Sequence, residues 1–219
     1  MASAFRYSGQ RHNDALLALG NIRIGTLHDF RRIEHKRGIA DANEGTKSVS
    51  HHIPYATEKD VGSIHLEALK RFNAIDFGNS TGVVLQNIQM VQSFDHPDCF
   101  VHCVSADYSK GVLDQFEGAD SCVEIADLEG FYQRLTSTLN SHVPVQLLAI
   151  SMVQYMQRNE DWNGRDWGVH PALIKEPEFS KQVEIRAIWR PKFEGGISPV
   201  VINDIGLIEF CKARELPLG

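Results

Sequence analysis

Gln182, Glu184 and Arg186 stand two residues apart in the stretch "FSKQVEIRAIW", Phe179 to Trp189. The stretch alternates as a β-strand does, which puts Val183, Ile185, Ala187 and Trp189 on one face and Gln182, Glu184, Arg186 and Ile188 on the other. On an extended chain the Gln182 amide then lies about 7 Å from the Glu184 carboxylate. If that face looks at water, Glu184 and Arg186 are a solvated pair worth well under about 1 kcal/mol. If it lines a cleft, a fixed carboxylate is available to meet positive charge in a reacting group, with an amide beside it to orient a second group.

A metal site is the next possibility, in "HPDCFVHC" with His96, Cys99, His102 and Cys103. In an extended segment Cys99 and Cys103 share one face and His102 takes the other, so a tetrahedral zinc site needs a break in the strand. These residues read instead as buried thiols beside an ordinary histidine, and no metal is expected. Cys122 and Cys211 likewise read as reduced, buried thiols in a chain of 219 residues. The signatures G-x-S-x-G, H-E-x-x-H, G-x-G-x-x-G and G-x-x-x-x-G-K-[ST] are absent, which removes the commonest hydrolase, dinucleotide and phosphate-loop sites. From Arg23 to Arg37 the residues Arg23, Arg31, Arg32, Lys36 and Arg37 stand against Asp29 and Glu34 alone, a local basic patch in a chain of formal net charge −6.

Elements must position these residues. Hydrophobic residues make up 42% and charged residues 23%, the composition of a soluble globular chain with one sizeable core. No apolar run approaches the roughly 20 residues that span a bilayer. The opening "MASAFRYSGQRHNDALL" carries no apolar signal core, so a cytoplasmic protein is expected. Asn13 or Asp14 can cap a helix through "ALLAL" that Gly20 closes, and "IRIG" reads as a strand after it. "GIADANEG" is a loop, the text around "SVSHH" a polar connection, and "EKDVGSIHLEALKRFNAI" holds one modest helix. Strands are expected in "TGVVLQNIQMVQSF", "CFVHCVSA", "SCVEIAD" and the buried "VPVQLLAISMV". Asp127 caps a helix with Leu128, Phe131, Tyr132, Leu135 and Leu139 on its inner face, and the chain ends in a short strand and a helix. Without a regular βαβ beat the class is α+β: one domain over 1–219, with two small, mostly antiparallel sheets enclosing a cleft.

Three separated pieces remain: "FRYSG" leading to "LALGNIRIGTLHDFRRIE…RGIADANEG", "CFVHCVSADYS" followed by "SCVEIAD", and "EFSKQVEIRAIW". Over roughly half the chain this order resembles that of ADP-ribosyltransferase-like bacterial proteins, a broad set often associated with toxins or phage defence. The resemblance implies an ADP-ribosyltransferase-like fold with NAD as substrate. Arg6 would hold NAD, Ser105 would brace the nicotinamide side, and Glu184 would be the catalytic carboxylate, with Gln182 orienting the acceptor. Arg23 or Arg31 would grip the pyrophosphate beside Arg6, and Tyr7 would offer a ring to stack on. The middle piece reads "VSA" where the family carries Ser-Thr-Ser, and Arg186 is not part of the family pattern. Glutamine before the catalytic glutamate leans away from an arginine acceptor and leaves a protein side chain, a nucleobase or water. A neutralising partner protein is a further implied partner.

Glu184 would stabilise the oxocarbenium-like ribose formed as the nicotinamide bond breaks. Glu184→Gln is then expected to keep the fold and abolish turnover. The alternative is a non-catalytic protein that docks an acidic partner through residues 23–37.

Overall fold

Asp127 caps the helix Leu128–His142 by accepting from the Gly130 N–H, and Leu128, Phe131, Tyr132, Leu135 and Leu139 are all buried on one side of it, as their spacing predicts. What they bury against is the main sheet. The molecule is known from a computed structural model that describes residues 3–32, 40–78 and 80–217. In chain order its strands are β1 (Ala4–Ser8), β2 (Asn21–Thr26), β3 (Thr46–Thr57), β4 (Val84–Asp95), β5 (Phe100–Ser105), β6 (Ser121–Ile125) and β7 (Val145–Met152). They continue as β8 (Gln154–Tyr155), β9 (Asn159–Asp161), β10 (Ile174–Lys175), β11 (Glu184–Pro191), β12 (Val200–Asn203) and β13 (Cys211–Arg214). The α-helices are α1 (Gln10–Leu19), α2 (Ile64–Arg71), α3 (Lys110–Leu113) and α4 (Leu128–His142).

The main sheet is eight-stranded and antiparallel, and it forks. One edge of β5 pairs with β11, whose other edge pairs with β7. The opposite edge of β5 serves two branches: β2 and then β12 at one end, β1 followed by β6 and β13 at the other. α1 and α4 supply Leu16, Phe131 and Tyr132 to a core with Phe100, Val104, Ile185, Ala187 and Trp189. Trp189 is fully buried and its indole N–H donates to Thr136 Oγ1 at 2.8 Å, which removes the cost of burying that donor. A second, smaller core lies under the sheet of β3, β4 and β9, where Val49, Ile53, Leu85, Met90 and Trp162 meet Leu66 and Leu69 of α2.

The α+β class with mostly antiparallel pairing matches the expectation, but the two-small-sheet arrangement does not. One sheet dominates, and the cleft opens inside its fork. Residues around "SVSHH" form the long strand β3, paired along its length with β4. The presumed buried strand β7 is an edge strand, so Leu148, Ile150 and Met152 are 41%, 38% and 44% exposed. The last helix is a 3-10 turn, Ile205–Phe210, followed by β13. The stretch from Phe179 is not continuous strand either. Pro177 opens a 3-10 turn that runs to Gln182, Val183 adopts φ 45° in the left-handed region, and β11 starts at Glu184. No helix among the described residues is long and apolar enough to cross a membrane.

Candidate functional site

Within the fork β2 pairs with β5 only at Gly25–Val101 and Thr26–Phe100, and β1 pairs with it only at Phe5–Ser105. Between those contacts the two branches diverge and enclose a cleft of about 460 Å³. Arg6, Tyr7, Arg23, Ser105, Gln182 and Glu184 all line it. Six of the seven residues singled out from sequence therefore meet at one place, from three separated stretches of chain. Arg31 does not: its Nε donates to the Glu44 carbonyl at 2.7 Å and its Nη2 pairs with Asp95 at 2.6 Å, so it tethers a loop.

The Gln182–Glu184–Arg186 face is dry. Gln182 is 1%, Glu184 5% and Arg186 1% exposed, which removes the solvated-pair reading. Glu184 Oε1 accepts from Arg186 Nε at 2.8 Å and Oε2 accepts from Lys175 Nζ at 2.8 Å. Arg186 turns its other nitrogens on Glu44, at 2.7 and 3.2 Å, and on the Ala172 carbonyl at 2.6 Å. Burial pushes the Glu184 carboxyl up, but Arg186 and Lys175 outweigh it and hold the group well below the usual carboxylate range. Burial likewise disfavours the charged form of Lys175, yet Glu184 outweighs it and keeps the pKa of the ammonium raised. Arg186 and Lys175 thus take two of about four lone-pair directions on the carboxylate.

Lys175 explains how an amide and a carboxylate end up together without a shared pleat. Its ammonium lies 2.8 Å from both Gln182 Oε1 and Glu184 Oε2. Lysine has no acceptor, so the amide oxygen of Gln182 must be the atom that faces it. Lys175 and Glu44 escaped the sequence reading because both come from short or irregular segments. The one local signal was a lysine closing the apolar run "ALIK", with Ala172 and Ile174 fully buried.

The remaining residues have defined partners. Ser105 Oγ donates to the Gln182 carbonyl at 2.8 Å and accepts from the Asp107 N–H at 3.1 Å, bracing the turn before β11. The Tyr7 ring lies nearly parallel to Phe116, at 13° with centroids 6.3 Å apart, and both line the cleft. Arg23 bonds Asp29 at 2.6 Å. Arg6 is different: it donates to the buried amide oxygen of Asn13 and makes no ion pair among the described residues. Burial lowers its pKa to about 10, and it stays a cation at neutral pH. Close by, burial pushes His102 down to about 3, with Arg6 acting in the same direction, so the imidazole is neutral and rests on the Tyr132 hydroxyl at 3.1 Å. His102 faces the helix side of β5, whereas Cys99 and Cys103 pack together on the other. Among the described residues no three His, Cys, Asp or Glu side chains are grouped to hold a metal.

Asp41 fixes the loop that delivers Glu44. Its carboxylate pairs with Arg158 at 2.6 Å and its carbonyl accepts from the Glu44 N–H at 3.1 Å. Burial, helped by the charge on Glu44, raises its pKa from 3.8 to about 6 despite Arg158. A raised pKa means that the stability Asp41 contributes is fully present below 3.8 and is lost as pH rises through about 6. Relative to Asp41→Asn, the wild type is expected to lose about 2–3 kcal/mol between pH 4 and pH 7. Urea unfolding of both proteins across that range checks this, and parallel stability curves would contradict it.

Comparison with known proteins supplies no family: no family model, no curated protein and no solved structure matches this chain.

Proposed function

We propose that the chain binds NAD in the forked cleft and transfers its ADP-ribosyl group to a macromolecular acceptor or to water. The observation that carries this reading is a pair of opposite charges in one cleft. Glu184 is kept ionised, and Arg6 is a cation without a carboxylate partner among the described residues. Arg6, oriented by Asn13, meets the phosphates through charge-assisted bonds, with Arg23 on the other branch of the fork. Tyr7 and Phe116 present ring faces.

The chemistry needs no general acid. The bond between ribose C1′ and the pyridinium nitrogen breaks, the electron pair leaves with nicotinamide, and that ring goes from cationic to neutral. The ribose becomes oxocarbenium-like, and the Glu184 carboxylate stabilises it while one of its remaining lone-pair directions accepts a ribose hydroxyl. The acceptor or a water then adds at C1′ and gives its proton to solvent.

Arg6→Ala is expected to weaken NAD binding by about 1.5–3 kcal/mol, the loss of a charge-assisted bond, as read by calorimetry. Nicotinamide release from NAD by the wild type tests the reading itself, and absence of NAD binding at millimolar ligand removes NAD from it. A second reading, binding without cleavage, is favoured by the fact that Arg186 and Lys175 already neutralise Glu184. NAD binding without nicotinamide release, with a range of acceptors present, selects it. A partner docked on residues 23–37 has less support. Arg23, Arg31 and Arg32 are each paired to a carboxylate, and residues 33–39 lie outside the described residues.

A further inference from the structure

Two His-Pro pairs, His96–Pro97 and His170–Pro171, meet at a second cavity of about 350 Å³, which shares no lining residue with the forked cleft. Their imidazole rings are steeply inclined, at 63° with centroids 4.7 Å apart. Phe94, Trp167 and Lys47 wall the same cavity. Lys47 is 4% exposed, and its ammonium donates to Glu160 Oε1 at 2.8 Å and to the Trp167 carbonyl. One of its three protons is left without a partner among the described residues.

The hydrogen bonds of the two rings fix their tautomers. Burial lowers the pKa of both, so they are neutral at pH 7. A carbonyl can only accept, so His96 Nδ1, 2.7 Å from the Pro97 carbonyl, carries the proton and Nε2 is left as an acceptor. His170 Nδ1 accepts from the Ala172 N–H at 3.3 Å, which puts its proton on Nε2. Glu160 offsets Lys47, and Asp95, also on the wall, is offset by Arg31, so no charge is left over for an anion or a cation.

We infer that this second cavity binds a nucleobase by an edge on which a carbonyl stands beside an N–H, as in uracil. The N–H of the base donates to His96 Nε2. The carbonyl, with two lone pairs, accepts from His170 Nε2 and from the spare proton of Lys47. Phe94 and Trp167, with ring centroids 5.3 Å apart, give the flat ring an apolar wall to pack on. The cavity backs on the charged network without opening into it. The His96 N–H donates to the Gly45 carbonyl at 2.9 Å, one residue from Glu44, and the Ala172 carbonyl, one residue from Pro171, accepts from Arg186 at 2.6 Å. A base held there does not touch Glu184, and its binding does not rest on the NAD reading.

The test uses the full chain, uniformly labelled with 15N, and two soluble probes. Uridine carries the edge; 3-methyluridine keeps the ring and both carbonyls but lacks the N–H between them. Uridine is expected to shift the Gly168 and Val169 amide resonances, which belong to the second cavity, and to leave that of Gly25 in the forked cleft unmoved. 3-Methyluridine is expected to bind at least about 10-fold more weakly. His96→Phe removes the acceptor and keeps both a ring and the main-chain bond to Gly45, so in this variant the gap between the two nucleosides is expected to close. No uridine binding at millimolar concentration, equal affinity of the wild type for the two nucleosides, shifts confined to the forked cleft, or an undiminished gap in His96→Phe overturns the inference. Tetrauridylate separates the two sources of a base: tighter binding than uridine upholds the cavity as a site for a base in a single strand, and equal or weaker binding upholds it as a site for a free nucleoside.

Discussion

On the transfer proposed above, Glu184→Gln is expected to lower nicotinamide release at least about 100-fold, because it removes the negative charge that would meet the developing ribose cation while keeping the shape of the side chain. Sequence alone suggests that this change leaves the fold intact. The structure revises that: a neutral amide leaves Lys175 and the charge surplus of Arg186 buried without their shared counter-ion, and losing one partner of a buried pair costs about 3–5 kcal/mol. Activity is therefore to be compared well below the melting temperature of the variant, with folding followed by circular dichroism. A folded Glu184→Gln protein that releases nicotinamide at the wild-type rate would exclude Glu184 from the chemistry.

The largest effect on stability is expected from Arg186→Met. The methionine fills much of the space but leaves Glu184 and Glu44, which Arg186 bridges, as two buried carboxylates, of which only Glu184 keeps a cation, Lys175, in hydrogen-bond contact. The loss at neutral pH is expected to be about 3–5 kcal/mol. The sign of its pH dependence follows from the same contacts. In the wild type Arg186 and Lys175 hold the Glu184 pKa below its unfolded value, so the stability it contributes is present above that unfolded value and lost as pH falls; without the guanidinium only Lys175 opposes burial, the Glu184 pKa rises, and part of that high-pH contribution disappears. The deficit relative to wild type should thus be smaller at pH 5 than at pH 8 in urea titrations. A deficit below about 1 kcal/mol at both would mean that the network does little to hold β11 in place.

Much of the fold was legible because its elements carry local signals. The spacing of Leu128, Phe131, Tyr132, Leu135 and Leu139 identifies α4, and Gly20, at φ 63°, closes α1 where only a residue free of Cβ escapes the Asp204 carbonyl. The fork was not legible, since which end of β5 each neighbour takes is a long-range fact with no trace in any one segment. The same holds for the site. Arg6, Ser105 and Glu184 lie at or near the ends of readable strands and could be named, whereas Lys175 and Glu44 sit on a two-residue strand and in a loop. Period-two alternation placed Gln182 on the strand with Glu184, but Pro177 and the left-handed Val183 break the chain there, and buried charge took over the positioning that the pleat was expected to do.

The insertion of β11 between β5 and β7 also sets an order of events during synthesis. Every other strand that lines the cleft is translated earlier, yet β5 keeps a bare edge and Glu44 lacks its guanidinium until residues 184–191 have left the ribosome. Pairings this distant in sequence form slowly. The nascent chain can collapse its β3–β4 hairpin and bury α2 beforehand, but it cannot assemble the ionised Glu184 beside Arg6. A chain that consumed NAD through this site would thus be inert for most of its own translation and become competent only as its last strands dock.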